Sequence, residues 1–203
     1  MIGLSAPTRE HEATPSSVPT EAHLVARAQR DPAAFGPLYE LYFDSIYRYC
    51  FYRLGSAHAA EDAVSTVFIR VLEALPHYRP GPRAGSFRSW LFTIAHNVVA
   101  NHHRAASRRL VTPLTAASVL PDDHPSPEDH ALAIENAHTI QSLLAQLPAE
   151  QRQVVELRLS GLTDQEIAHV LGRTHGAIRT AQYRALIQLR ALLGAQPGEN
   201  ARA

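Results

Sequence analysis

The chain of 203 residues contains no lysine, and all 19 of its basic residues are arginine. Its single cysteine, Cys50, excludes an internal disulfide and a cysteine-based metal site. Cys50 lies in an apolar, aromatic run, so we expect a buried and unreactive thiol. The arginine bias suits bidentate recognition of phosphates or bases. A GC-rich genome would produce the same bias, and this is the explanation that we favour.

Long apolar runs and catalytic motifs are also missing. No run reaches the roughly 20 residues that span a bilayer, and no apolar signal core follows Met1. We therefore expect a cytoplasmic protein. No cluster of Ser, His, acid or metal ligands has motif spacing, and no Gly-rich phosphate loop occurs, so we expect a protein that is not an enzyme and has no cofactor. The 12 histidines are scattered, and the adjacent His102 and His103 would point to different helix faces, which argues against a metal site.

The chain has no net charge, because 19 acidic residues balance the 19 arginines. The charges are nevertheless segregated along the chain. Residues 83–109 carry arginines and no acid, whereas residues 118–135 carry acids and no arginine. Because a local basic patch is enough to bind nucleic acid, overall neutrality does not exclude that function.

The strongest local pattern lies between residues 163 and 193. Thr163 and Glu166 have the spacing of a capping box at a helix start. Gly172 suits the left-handed residue that ends such a helix, and Thr174 can cap the next one. Two helices joined by a short turn with glycine are typical of a helix-turn-helix.

The second of these helices has a basic outer face. Between Arg173 and Arg190 there are four arginines and no acid. Such a face can contact phosphates and reach base edges. The alternative is an ordinary helical hairpin whose basic face is only solvated.

Apolar residues at three- and four-residue steps predict helices along most of the rest of the chain. We predict an all-α fold of two small helical domains joined by a flexible linker, with the helix-turn-helix in the C-terminal domain. The predicted divisions are a disordered tail at 1–22, a helical domain at 23–109, an acidic Pro-rich linker at 110–129, a helix-turn-helix domain at 130–195 and a disordered tail at 196–203.

Two features of the N-terminal domain suggest binding surfaces. The stretch 76–86 has three prolines and two glycines, which predicts a loop, and it carries Tyr78 among arginines. Aromatic rings beside cations suit unstacked single-stranded bases, although a plain surface loop would have the same composition. On the preceding helix, Ile69 falls at an exposed place, which hints at a protein partner.

Three segments, in order, resemble a known family. Residues 60–70 (AEDAVSTVFIR) resemble the core-polymerase-binding helix of bacterial sigma factors. Residues 87–97 (FRSWLFTIAHN) resemble their helix that melts and reads the minus-ten element, and residues 176–185 (GAIRTAQYRA) resemble their minus-thirty-five recognition helix. The chain is similar to the small extracytoplasmic-function (ECF) group of RNA polymerase sigma factors.

The resemblance implies three groups of site residues. The group expected to bind core polymerase is Asp62, Ser65, Thr66, Ile69 and Arg70. The group expected at the minus-ten DNA is Tyr78, Arg79, Arg88, Trp90, Asn97, Asn101, Arg104, Arg108 and Arg109. The group expected at the minus-thirty-five DNA is Thr174, His175, Gly176, Arg179, Thr180, Tyr183 and Arg184.

The chain departs from the family pattern at two places. Ser65-Thr66 stands where Gln or Ser followed by a carboxylate is common, and Arg173 stands in the turn where an apolar residue is common. The function implied is to bind core RNA polymerase through its beta and beta-prime subunits, direct it to promoter DNA and help open the minus-ten region, with an anti-sigma factor as a further partner. The alternative is a stand-alone helix-turn-helix regulator that binds duplex DNA without polymerase.

The predicted linker carries Asp122, Asp123, Glu128 and Asp129. In the free protein we expect a solvated tether. The equivalent linker of the family threads polymerase channels that otherwise carry RNA, so the acids could imitate nucleic acid. Under this hypothesis neutralising all four should weaken holoenzyme assembly, and unchanged assembly and transcription would contradict it.

Overall fold

The computed structural model describes residues 20–81, 85–109 and 139–194, with side chains for all of these except 106–109. Within these ranges every regular element is a helix, which confirms the all-α prediction. The predicted linker lies outside the described residues, as do residues 1–19 of the predicted N-terminal tail and all of the predicted C-terminal tail. The elements are α1 (Glu21–Arg30), a 3-10 turn (Pro32–Phe35), α2 (Gly36–Leu54), α3 (Ala57–Ala74), a second 3-10 turn (Leu75–His77), α4 (Phe87–Arg109), α5 (described at 139–145), α6 (Ala149–Leu159), α7 (Asp164–Leu171) and α8 (His175–Gly194).

Polar caps set the first helix boundaries. The Thr20 hydroxyl accepts a hydrogen bond from the His23 N–H at 3.4 Å, so α1 begins at Glu21, two residues before the predicted domain boundary. Asp31 caps the next segment and Pro32 takes its first position, and this segment is a 3-10 turn. Helix α2 ends at Gly55, whose φ of 76° is left-handed and disfavours any side chain.

The N-terminal domain is built on the mutual packing of α2, α3 and α4. Its centre is fully buried and aromatic-rich: the Tyr49 ring meets the Phe92 ring edge-on, with centroids 5.7 Å apart. Cys50 is buried beside them, and burial raises the pKa of its thiol to about 12. The thiol is therefore protonated and unreactive at neutral pH, as the sequence predicted.

The C-terminal domain packs α6, α7 and α8 around Leu157, Leu162, Ile167 and Ile178, each of which is at most 1% exposed. A small second cluster joins the middle of α8 to α5 and the turn after it through Ala185, Leu144 and Leu147. The first two turns of α8 are thus anchored on their inner side and open on the outer side.

The two domains pack against each other. Helix α4 lies on α7, α2 lies on α6, and a single apolar core continues from one domain into the other. None of the described helices combines the length and the apolar character needed to cross a membrane.

Candidate nucleic-acid interface

The helix-turn-helix has the geometry that its sequence predicts. The Thr163 hydroxyl accepts from the Glu166 N–H at 3.3 Å, and the Glu166 carboxylate accepts from the Thr163 N–H at 2.9 Å. Burial opposes the charge of Glu166, but hydrogen bonds from Thr163 and Ser86 outweigh it and lower the pKa of this carboxyl. Gly172 ends α7 with a φ of 62°, and the Thr174 hydroxyl accepts from the Ala177 N–H at 3.3 Å. The turn between α7 and α8 is therefore capped on both sides.

Two arginines stabilise this domain through contacts that the sequence did not predict. Arg158 donates to the Leu162 carbonyl at 2.7 Å, contacts the Asp164 carboxylate and lies 3.4 Å from the Gln182 side-chain oxygen. Arg173, in the turn, pairs with Glu150 at 2.8 Å. The Arg173 guanidinium lowers the pKa of the Glu150 carboxyl by this hydrogen bond. Arg173 is thus engaged within the domain, and a phosphate contact would have to compete with Glu150.

The outer face of α8 is open to solvent. Ile178 and Ala185 are fully buried on the inner side, and Tyr183 is 67% exposed on the outer side. All members of the predicted minus-thirty-five group are exposed on this face and its leading turn: Thr174, His175, Gly176, Arg179, Thr180, Tyr183 and Arg184. The arrangement leaves a continuous, arginine-bearing helix surface open to solvent, and an α-helix is of a size that the major groove of duplex DNA admits.

A second open surface lies on α3. Val67 and Val71 are fully buried on one side of this helix, while Ile69 is 57% exposed on the other. The predicted polymerase-binding group lies on this outer side, with Thr66 half-buried and the others exposed: Asp62, Ser65, Thr66, Ile69 and Arg70. Next to it is a cavity of about 160 Å³ lined by Tyr39, Phe43, Tyr47, Glu61, Val64, Ser65 and Phe68. The aromatic-rich sequence of α2 is the signal for these rings, but it does not distinguish the wall of a cavity from the core.

Helix α4 shows part of the predicted minus-ten group. Asn97, Asn101 and Arg104 are exposed, whereas Val98 and Val99 hold the opposite side in the core. Arg79 is exposed and its guanidinium donates to the carbonyls of Pro76 and Tyr78, both at 2.9 Å. Arg108 and Arg109 continue α4, and their side chains lie outside the described part.

Tyr78 lies deeper than the sequence suggested, packed against the half-buried Trp90. Tyr78 is only 5% exposed, and its ring lies 4.8 Å from Trp90 and 5.4 Å from Phe87. Burial raises the pKa of Tyr78. Gln29, which no sequence motif marks, donates to the Tyr78 carbonyl at 2.8 Å and to the Leu75 carbonyl at 3.0 Å. A base could stack on Tyr78 only after this ring moves outward.

Arg88 meets the other domain. Its guanidinium donates to the Ser160 carbonyl at 3.3 Å, at the end of α6. The predicted minus-ten group is therefore divided between side chains that face solvent and side chains that are covered by ring packing or by the second domain.

These features define a two-domain, all-helical DNA-binding protein whose C-terminal domain is a helix-turn-helix. Residues 38–109 match the model of Sigma-70 region 2, and residues 137–189 match that of Sigma-70 region 4. The chain belongs to the ECF family of RNA polymerase sigma factors.

Curated relatives carry this family name. The chain is 39% identical to the ECF RNA polymerase sigma factor BldN of Streptomyces coelicolor over 172 residues, which are 84% of this chain and 64% of BldN. It is 40% identical to ShbA of Streptomyces griseus over 71% of this chain and 80% of ShbA. It is 37% identical to SigD of Mycobacterium tuberculosis over 71% of this chain and 70% of SigD.

Solved structures share the fold. CnrH in complex with the cytosolic domain of CnrY superposes with a TM-score of 0.65 at 25% identity, over 86% of this chain and 97% of that chain. The sigma factor RpoE of Bartonella quintana, in complex with the anti-sigma factor NepR, gives a TM-score of 0.58 at 20% identity, over 80% and 98%. Both comparisons support two helical domains of this type.

Proposed function

We propose that this protein binds core RNA polymerase, brings it to specific promoters and helps to open the minus-ten region. The observation that carries the proposal is the pair of open surfaces: an apolar-centred face on α3 and an arginine-bearing face on α8, in one chain with both sigma regions. Each region is expected to perform one half of the task.

Helix α3 is the proposed contact with the beta-prime subunit of the polymerase. Ile69 stands at its centre, more than half exposed, with Asp62, Ser65 and Arg70 around it. An apolar side chain ringed by polar ones is typical of the energetically dominant part of a protein interface. The adjoining aromatic cavity offers a place for an apolar side chain of the same partner.

Helix α8 is the proposed reader of the minus-thirty-five element. The first N–H groups of a helix have no partner within the helix, and those of His175 and Gly176 begin α8, which favours phosphate contacts there. Arg179, Tyr183 and Arg184 then extend along the exposed face toward base edges and the flanking backbone.

Helix α4 and the loop before it are the proposed minus-ten site. Asn97 and Asn101 would contact the non-template strand, and Arg104, Arg108 and Arg109 its phosphates. Flipping a base out of the stack costs a few kcal/mol, so the protein needs a pocket that captures it. The rings of Tyr78 and Trp90 can supply such a pocket once Tyr78 leaves its present position.

The proposed activity requires binding alone, without a catalytic group or a cofactor, and places the protein in the cytoplasm with the polymerase. An anti-sigma factor is proposed as a further partner, since the structural relative RpoE is described in complex with one. Such an inhibitor would cover one or both of the open surfaces.

A pull-down of bacterial core RNA polymerase followed by transcription from a genomic promoter library tests the proposal. We expect binding and new start sites with a shared promoter motif. Ile69→Glu should weaken polymerase binding at least tenfold, because it puts a charge into the apolar centre of the interface. Leu41→Glu, which changes a residue of similar exposure on α2, serves as the matched control.

Absence of polymerase binding, together with tight duplex binding by the protein alone, would favour a free-standing helix-turn-helix regulator. Equal loss of polymerase binding in both glutamate variants would show that α3 has no special role.

A further inference from the structure

One side chain of α1 is bonded to the backbone that carries Tyr78. Gln29, in the last turn of α1, donates through its side-chain amide to the Leu75 carbonyl at 3.0 Å and to the Tyr78 carbonyl at 2.8 Å. Both partners are carbonyl oxygens, which only accept, so the amide nitrogen is the group that faces them. Its two N–H bonds are enough for both contacts. Gln29 therefore joins the first helix to the start of the loop in the proposed minus-ten site.

The same two carbonyls have further partners. The Tyr78 N–H donates to the Leu75 carbonyl at 3.1 Å, and the Arg79 guanidinium donates to the Tyr78 carbonyl at 2.9 Å. Of these three donors, Gln29 is the one that comes from another helix. The backbone from Leu75 to Tyr78 is thus held within the turn and also from outside it.

Helix α1 provides a firm base for this contact. In its first turn the Glu21 carboxylate accepts a hydrogen bond from the Tyr42 hydroxyl of α2. Three apolar side chains on its inner side are buried: Leu24, Val25 and Ala28. Because α1 is held in the domain core along its length, the hydrogen bonds of Gln29 restrain the loop instead of moving with it.

The Tyr78 ring is restrained in a different way from its backbone. Its ring centroid lies 4.8 Å from that of Trp90 and 5.4 Å from that of Phe87. Stacking of an unpaired base on an aromatic ring replaces contacts of the same kind. Rotation about the Cα–Cβ bond moves the ring while the Tyr78 carbonyl keeps its hydrogen bond to Gln29. The proposed pocket can therefore open by a side-chain rotation alone.

We propose that Gln29 is a positioning residue for base capture: it keeps the Leu75–Tyr78 backbone in place while the Tyr78 ring turns outward to receive an unpaired base of the promoter. Trp90 and Phe87 then line the space that the ring leaves. This inference rests on the proposed function for its ligand, whereas the restraint of the backbone by Gln29 belongs to the free chain.

Two substitutions separate the hydrogen bonds of Gln29 from its size. Gln29→Glu keeps the shape but replaces the donor by a carboxylate oxygen, which cannot donate to a carbonyl. Gln29→Lys keeps a donor, since its ammonium group has three N–H bonds on a flexible stem. Ala22→Glu, at an exposed position of the same helix, is the control for the added negative charge. Circular dichroism verifies that each variant keeps its helices.

Hydrogen exchange of the free protein tests the restraint without polymerase. The Tyr78 N–H is bonded to the Leu75 carbonyl, so its exchange rate reports how often this turn opens. In Gln29→Glu this amide should exchange about tenfold faster than in the wild type, because two hydrogen bonds to the turn are lost. In Gln29→Lys and Ala22→Glu its rate should stay within about twofold of the wild type.

Fork-junction DNA measures base capture by the holoenzyme. The probe is a promoter found by start-site mapping, with its minus-ten non-template strand unpaired and each base replaced in turn by an abasic site. At the captured position the wild-type holoenzyme should lose about tenfold in affinity, because one base–aromatic stack is removed. In Gln29→Glu most of this loss should disappear at that position alone, and Gln29→Lys should restore it. A variant that only folds less well leaves the ratio of the two affinities unchanged.

Several results would overturn the inference. Wild-type exchange at Tyr78 in Gln29→Glu would show that the loop is not restrained by Gln29, and equally fast exchange in Gln29→Lys would show that size matters and not the hydrogen bonds. An unchanged abasic ratio in Gln29→Glu, in a holoenzyme that still initiates transcription, would defeat the inference and leave the proposed function intact. Failure of the wild type to bind polymerase would defeat the proposed function and, with it, base capture, whereas the exchange rates would still decide whether Gln29 holds the turn.

Discussion

The buried Glu156 carboxylate is paired with an arginine that lies far away in the chain. Glu156 is 1% exposed and is held by Arg53, about a hundred positions earlier, and by Arg152 one turn away. Burial raises the pKa of the Glu156 carboxyl, and the two guanidinium groups act against this rise. Its sequence surroundings, Val154-Val155 and Leu157, already suggest a buried position, but they do not reveal the partner.

His96 is expected to make the stability pH-dependent. Burial, and then the nearby Arg53 charge, lower the pKa of this imidazole below its ordinary value of 6.5. Above that value both the folded and the unfolded protein keep His96 neutral, so its contribution to stability is complete. As the pH falls through 6.5 the unfolded chain takes up a proton that the folded chain does not, and the free energy of unfolding decreases.

Denaturant unfolding between pH 8 and pH 5.5 measures this effect. His96→Gln should flatten the profile, whereas His58→Gln, at an exposed histidine on α3, should leave it as it is. The raised pKa of Glu156 changes the stability with pH in the opposite direction. This contribution is the same in the wild type and in His96→Gln, so it cancels when the two stability profiles are subtracted. Parallel profiles for these two proteins would contradict the prediction.

The capping box gives a second prediction at this scale. Thr163→Ala removes the acceptor of the Glu166 N–H and should lower the free energy of unfolding by about 1 kcal/mol. Chemical denaturation followed by circular dichroism measures the loss. Ser65→Ala, in the middle of an exposed helix face, is the control and should be neutral or slightly stabilising, since alanine favours helix.

At the scale of the element, each functional helix has one buried face and one open face. Helix α8 holds Ile178 and Ala185 in the core and turns Arg179 outward, as its periodicity predicts. Helix α3 likewise buries Val67 and exposes Ile69. Helix α4 differs, because α3 covers one side of it and α7 another, so only Asn97, Asn101 and their neighbours remain open.

Arg179 is predicted to read the minus-thirty-five element. If it contacts a base, Arg179→Ala should weaken binding to promoters that depend on this element by about 1–3 kcal/mol and relax specificity at one position. Competition binding of the holoenzyme to a promoter library measures both quantities. Arg190→Ala, near the end of the same helix and outside the recognition group, is the control. An equal loss on unrelated DNA would show a phosphate contact instead.

At the scale of the whole molecule, the continuous core joins the two domains into one unit. The C-terminal domain contributes Leu157, Leu162 and Ile167 to the cluster that contains Phe92 and Val99 of the N-terminal domain. The sequence indicated two domains on a flexible linker and therefore free reorientation. The structure adds an interface that brings them together.

Unfolding of the wild-type protein is consequently expected to be a single cooperative transition. Trp90 is the only tryptophan and reports on the N-terminal domain, while a fluorophore on Arg190→Cys reports on the C-terminal domain. Their denaturation midpoints should coincide in the wild type and diverge in Glu156→Gln, which loosens the coupling. Glu150→Gln should behave as the wild type. Separate midpoints in the wild type would show that the domains unfold independently.

Local chemistry is what the sequence by itself determined. Four features depend only on residues within a few positions of one another: the capping box of Thr163 and Glu166, the left-handed Gly172, the helical periodicity and the outward face of α8. Such short-range interactions depend only on the local sequence, so their pattern predicts the helices, the helix-turn-helix and the exposed recognition residues.

Only the tertiary structure decided which of these surfaces are covered. Three sets of contacts join residues that lie about 10 to 100 positions apart in the chain. They are the contacts of Tyr78 with Trp90 and Gln29, of Arg88 with the Ser160 carbonyl, and of Arg53 with Glu156. Each contact depends on how helices dock, which is set by shape and by the desolvation of distant groups. The sequence carries no local signal of such docking, because neither partner of a long-range contact differs in its own neighbourhood from an ordinary surface or core residue.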